Sequence, residues 1–180
     1  MKFLEKDLEE IIYKADADVI YDRGLYSYGI KKRQLKIGGY GVSDLIVFEK
    51  PYYHTGFKRH MKGTITVLEL KQDKIGVSTF FQALRYAKGI KHYIDKCRPT
   101  LTDAFNYRIV LIGKNVDFHS SFVFLTDFFN VDLSDTDLDD YSKTNVELYQ
   151  YEYRIDGLHF VELGSFIDTN HGFDKTKSNL

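Results

Sequence analysis

The sequence predicts a mixed α/β (α+β) domain in which a central mixed sheet is flanked by helices. Three observations lead there. Short runs rich in β-branched residues, at 43–48, 64–70 and 107–112, are too apolar for a wet surface and read as strands. Stretches with helical spacing stand before and between them, at 2–13 and 78–96. Two further runs, 146–155 and 158–163, close around Asp156-Gly157 as a terminal hairpin.

Taken in order, the first helix carries Leu4, Leu8, Ile11 and Ile12 on one stripe, flanked by Glu5 and Glu9, with Glu10 pointing away. Asp16, Asp18 and Asp22-Arg23-Gly24 then punctuate the chain. A basic extended stretch at 26–36 leads into the turn Gly38-Gly39-Tyr40-Gly41, where missing side chains permit a close backbone approach. The strands at 43–48 and 64–70 form a hairpin whose tip, 49–63, is basic and aromatic. Residues 72–77 read as a loop, and Ser78 is the expected cap of the next helix. A helix is expected over 118–129 and an acidic loop over 132–140. The whole of 1–167 reads as a single domain, with a polar, frayed tail at 168–180.

Composition narrows the function classes. The single cysteine, Cys97, excludes an internal disulfide framework and fits a reducing, cytoplasmic setting. No run approaches the length of a membrane-spanning helix, and the charged N-terminus has no signal-peptide core. No phosphate-binding glycine loop appears, and the histidines show no metal-ligand spacing. The net charge of -1 hides a strong asymmetry. Residues 1–100 hold 19 Lys+Arg against 12 Asp+Glu, whereas 101–180 hold 6 against 14. Within 31–98 the count is 15 against 5, as expected where a polyanion approaches.

That basic segment holds the residues with chemistry. On a strand Glu69 and Lys71 share one side while Leu68 and Leu70 take the other, so the two charged groups should project together. Asp44, on the adjoining strand, adds a second carboxylate. Two carboxylates and the main-chain carbonyl of Leu70 make an oxygen-rich set suited to Mg²⁺, with Mn²⁺ as a substitute. Such a metal would lower the pKa of a bound water and neutralise charge on a phosphate. Lys71 would orient that water or stabilise the developing charge.

Asp44 followed by Glu69-Leu70-Lys71 resembles the acid and E-x-K elements of the PD-(D/E)XK, or restriction-endonuclease-like, nuclease superfamily. The leading helix, with Glu5 before Leu8, Ile11 and Ile12, is similar to that of small repair and resolvase-type endonucleases, where it contributes a further acid. Gln82 and Tyr86 resemble the Q-x-x-x-Y element of exonuclease-type members, which approaches DNA or the metal-bound water. Arg33-Gln34 before the glycine turn is a further similarity. The likeness covers roughly 3–113; it departs at Ser43, where proline is common, and in the long interval between Asp44 and Glu69.

The resemblance implies a restriction-endonuclease-like fold and a metal-dependent deoxyribonuclease, an endonuclease on branched, single-stranded or duplex DNA. Asp44, Glu69, the Leu70 carbonyl and Glu5 would hold the metal, Lys71 would position the nucleophile, and Gln82 and Tyr86 would support it. Lys31, Lys32, Arg33, Lys58, Arg59, Arg85 and Lys88 would follow phosphates. Tyr52, Tyr53 and Phe57 would stack on unpaired bases. A homodimer would supply two sites for paired cuts. The alternatives are a catalytically inactive nucleic-acid-binding module with the same fold, and an interaction domain in which Glu69-Lys71 is a surface ion pair.

Overall fold

The run GTITVLEL is buried along almost its whole length because it becomes an interior strand with helices over both faces. The computed structural model describes residues 4–49, 63–101, 104–118, 122 and 144–163. Its elements are α1 (Glu5–Lys14), α2 (Ala17–Asp22), β1 (Ile30–Lys36), β2 (Val42–Glu49), β3 (Gly63–Leu70), β4 (Lys74–Ile75), α3 (Val77–Cys97), β5 (Phe105–Gly113), β6 (Asn115–Val116), β7 (Thr144–Arg154) and β8 (Gly157–Leu163). Six strands form one mixed sheet in the order β1-β2-β3-β5-β7-β8. β1, β2 and β3 form an antiparallel meander, β5 and β7 continue parallel to β3, and β8 returns antiparallel to β7. The class is therefore α+β, with helices on a mixed sheet.

Alternation along β3 divides the core in two. Ile65 and Val67 face α3 and pack with Phe80, Ala83, Tyr86 and Ile90. Leu68 and Leu70 face the other way, onto Leu8 and Ile12 of α1 and Ile20 of α2. Each of these fully buried aliphatic side chains contributes roughly 1.5–3 kcal/mol of transfer free energy, enough to hold short helices with little intrinsic stability. The parallel step from β3 to β5 needs a crossover, and α3 supplies it.

Several expectations shift. The aspartate-rich stretch after α1 forms the short helix α2, because Ile20 is drawn into the α1-side core. Helix α3 starts at Val77 with Gly76 at its N-cap, so Ser78 lies inside the first turn. The stretch expected as a loop at 72–77 contains β4, which pairs with β6 in a small second sheet. The hairpin expected around Asp156-Gly157 is present as β7 and β8, with Gly157 at a φ of 128°. The hairpin tip at 50–62, the acidic loop at 132–140 and the tail at 168–180 lie outside the described residues, as does the expected helix at 118–129 apart from Phe118 and Phe122. Among the described residues no helix is long and apolar enough to cross a membrane.

A buried polar network ties the strands together at the Glu49 end of the sheet. Arg108 on β5, only 8% exposed, donates from Nε and Nη2 to the two carboxylate oxygens of Glu147 on β7, at 2.7 and 2.5 Å. Its Nη1 donates to the Tyr26 carbonyl at 3.0 Å and lies 3.5 Å from Glu49 on β2. Thr66 of β3 donates to the same Glu49 carboxylate at 2.6 Å. Removing Arg108 strands two acids in a poorly hydrated place. Arg108→Met is expected to lower unfolding free energy by about 3–5 kcal/mol, with Glu147→Gln in the same chain recovering part of it. Urea denaturation checks this, and a loss under about 1 kcal/mol would place the network at the level of a surface ion pair.

Candidate active site

The β2–β3 register sets Leu45 opposite Leu68, so Asp44 and Glu69 come to the same end of the sheet. Glu69 continues the alternation of β3 residues facing α3. Here β2 and β3 part company: the Leu70 amide, which a longer ladder would satisfy from β2, donates to Asp44 Oδ2 at 2.9 Å. The next amide, that of Lys71, donates to the Ile112 carbonyl on β5 at 2.8 Å. Asp44 thus takes the place of a strand partner and is fixed by the backbone beside it.

Glu69 and Lys71 do share a side, but Glu69 does not project into solvent. Its side chain is fully buried, with Oε1 accepting from Lys71 Nζ at 2.9 Å and Oε2 lacking a hydrogen-bond partner among the described residues. Burial, then the negative charge of Asp44, pushes the Glu69 carboxyl up to about 7, against the pull of Lys71. Burial also raises Asp44, partly offset by the Leu70 amide and Lys71. Burial alone would weaken the Lys71 ammonium, yet Glu69 overcompensates and holds it above its ordinary value. Glu5 of α1 reaches the same ammonium, its Oε1 lying 3.5 Å from Nζ. The structure therefore gathers Asp44, Glu69, Lys71 and Glu5: three acids around one lysine.

Gln82 and Tyr86 sit one turn apart on α3 and engage each other, Gln82 Nε2 donating to the Tyr86 hydroxyl at 3.0 Å. Among the described residues neither bonds to Asp44, Glu69 or Lys71. They approach the site through Gly41, at a φ of 115°. A Cβ there would stand 3.0 Å from the Tyr86 ring and 3.5 Å from Arg85 Nη2, so glycine admits this face of α3 to the entry of β2, three residues before Asp44.

The basic residues divide. Lys31 is spent on the C-terminus of α1, donating to the Ile12 and Ala15 carbonyls at 2.9 and 2.7 Å. Arg33 pairs with Glu9 at 2.7 Å and lies over the Tyr13 ring. Both of these expected phosphate contacts therefore have partners within the fold. Lys32, Arg85 and Lys88 are exposed. Lys58 and Arg59, with Tyr52, Tyr53 and Phe57, lie outside the described residues. Strand β2 ends at Glu49 and β3 begins at Gly63, and five strand residues from Asp44 to Glu49 span about 17 Å.

Sequence reasoning passed over Glu9. Its carboxylate is 5% exposed, receives Arg33 and Gln34, and its charge is felt by Asp44. The available signal was its position at the edge of the apolar stripe, one turn after Glu5.

The donor set fits a hard divalent cation in kind, since every candidate ligand is an oxygen and the buried Glu69 Oε2 lacks a partner among the described residues. In number it is modest. Among the described residues no group of three or more His, Cys, Asp or Glu is gathered closely enough to hold a metal ion by itself. Lys71 is the cation these acids share.

Because folded Glu69 holds its proton up to about pH 7 while an unfolded glutamate releases it near 4.5, folding favours the protonated acid. This contribution is complete below about pH 4.5 and is lost as pH rises through 7. It amounts to on the order of 3 kcal/mol. Glu69→Gln, neutral at every pH, is expected to match wild type near pH 5 and to exceed its stability by pH 8.5. Denaturation across this range checks the sign, and parallel curves for the two proteins would show that Glu69 ionises freely.

Comparison of the chain with family models, with curated proteins and with solved structures gives no match, so the functional reading rests on the residues themselves.

Proposed function

We propose that the chain is a metal-dependent deoxyribonuclease with a restriction-endonuclease-like fold, hydrolysing phosphodiester bonds as an endonuclease on branched, single-stranded or duplex DNA. One observation carries the reading: Asp44, a buried Glu69 and Lys71 converge where β2 and β3 separate, and Glu5 joins them from α1. Surface ion pairs of the E-x-K type have no reason to bury the acid completely or to place a second carboxylate beside it.

In this reading Asp44, Glu69 and the Leu70 carbonyl hold the metal, with Glu5 contributing directly or through water. When bound, Mg²⁺ or Mn²⁺ supplies a more acidic water and neutralises charge on the phosphate. Lys71, which holds Glu69 Oε1 at 2.9 Å, would orient the attacking water and steady the equatorial oxygens. Water would add to phosphorus and give up a proton to solvent, the P–O bond to the leaving sugar oxygen would break, and that oxygen would take up a proton from solvent. Gln82 and Tyr86 lie where they would steady the strand beside Gly41, and Lys32, Arg85 and Lys88 offer exposed charges to the backbone.

A second reading, a nucleic-acid-binding module that keeps the fold without cutting, draws on the fact that Lys71 already neutralises part of the acid cluster. Labelled single-stranded, duplex, flap and four-way-junction DNA, incubated with Mg²⁺, Mn²⁺ or EDTA, separates the two. Wild type is expected to cut only with metal, and Glu69→Ala and Lys71→Ala to lose about 100-fold or more, as removal of one charge-stabilising group does elsewhere. Absence of cutting on every substrate, with salt-sensitive binding intact, would establish the second reading.

A further inference from the structure

Neighbouring residues on a strand point to opposite faces, yet Arg33 and Gln34 of β1 grip one carboxylate. Arg33 Nε donates to Glu9 Oε1 at 2.7 Å and Gln34 Nε2 to Glu9 Oε2 at 2.6 Å. The backbone makes this possible. Gln34 has a φ of 51°, the only positive value at a non-glycine among the described residues. The β1–β2 ladder runs in step from Ile30–Phe48 to Arg33–Leu45, omits the step at Gln34 and Asp44, and resumes at Leu35–Ser43. Alternation reverses across the gap. Arg33 lies on the α1 side against Glu9 and Tyr13, whereas Leu35 and Ile37 pack into the α3-side core.

A glutamine in the left-handed region persists only where its surroundings hold it there, and such residues concentrate at functional sites. Gln34 sits beside Asp44, and its solvent-accessible side chain is engaged by Glu9. Its grip on Glu9 has a downstream effect. Glu5 lies one turn before Glu9 on α1, about 6 Å along the axis. With Lys31 holding the far end of the helix, Gln34 and Arg33 fix its middle, and Glu5 is delivered to Lys71.

We propose that Gln34 is a positioning residue of the candidate site: its kink beside Asp44 anchors Glu9, and through Glu9 sets the placement of α1 that brings Glu5 onto Lys71. The catalytic part of this inference rests on the nuclease reading; the anchoring part does not.

Two variants of the full chain test it. Gln34→Gly keeps the left-handed backbone without strain and deletes the carboxamide; Gln34→Asn tolerates the same backbone but is one methylene too short to reach Glu9. Amide exchange is followed at Leu8–Ile12 of α1 and at Ala83–Ile90 of α3, alongside metal-dependent cleavage. Losing one hydrogen bond to a charged group is expected to reduce α1 protection by about tenfold in both variants while α3 is unchanged. The kcat is expected to fall by about tenfold with KM held within about twofold, since Glu5 acts at the reacting centre and not in DNA binding. Unchanged protection in α1 overturns the proposal whether or not the protein cuts DNA. Equal loss in α1 and α3 overturns it too, reducing Gln34 to general stability. Unaltered kcat with a loosened α1 removes its part in catalysis. A wild-type protein without metal-dependent cleavage, whose α1 still responds to the variants, retires the nuclease reading and leaves no reacting centre for Gln34 to serve.

Discussion

Strand β3 has a strand on either side and a helical layer over each face, so every polar side chain along it must find its partner inside the protein. Burying an unpartnered carboxylate or hydroxyl is costly, and this constraint governs the rest of the structure. Thr66 meets it through Glu49, and Glu49 through Arg108, which passes the charge to Glu147. Among the described residues Glu69 meets it only in part, holding Lys71 with one oxygen and nothing with the other. One strand therefore carries a closed polar network near one end and an open one at the other. Closed networks specify a fold; an open one leaves capacity for a ligand.

Helix α1 is short, and its apolar stripe alone cannot determine where along the sheet it rests. Polar contacts supply that information. Lys31 donates to the last carbonyls, Glu9 is held from β1, and Asp7 satisfies the Leu4 amide at the start. The chain thus uses several of its basic residues on one small helix. For the same reason the charge asymmetry of the sequence overstates the positive surface left for a polyanion: two of the expected phosphate contacts are engaged internally.

Much of the architecture was legible because it depends on local patterns. The hairpin of β2 and β3, the long helix α3, the interior strand β5 and the terminal β7–β8 pair all follow from periodicity and turn residues, with boundaries moved by a residue or two. The pairing of Glu69 with Lys71 on one strand side was legible for the same reason. What escaped was set by distant contacts. Helix α2 exists because Ile20 meets a core assembled from elsewhere, and β4 because β6 lies beside it. The depth of Glu69 depends on α3 arching over the sheet. The part played by Glu9 depends on a backbone reversal at Gln34 that no side-chain preference announces, glutamine being a poor left-handed residue.

That reversal bears on how the protein keeps its identity in a crowded solution. β1 is a border of the sheet, and a straight border strand is a template for another chain to add itself. At Gln34 the strand departs from regular β geometry, and the exposed Lys32 and Lys36 place charge along the same short strand. An incoming strand would find neither an even row of donors and acceptors nor a neutral one. The backbone reversal that anchors Glu9 thereby also makes this border a poorer template for another strand.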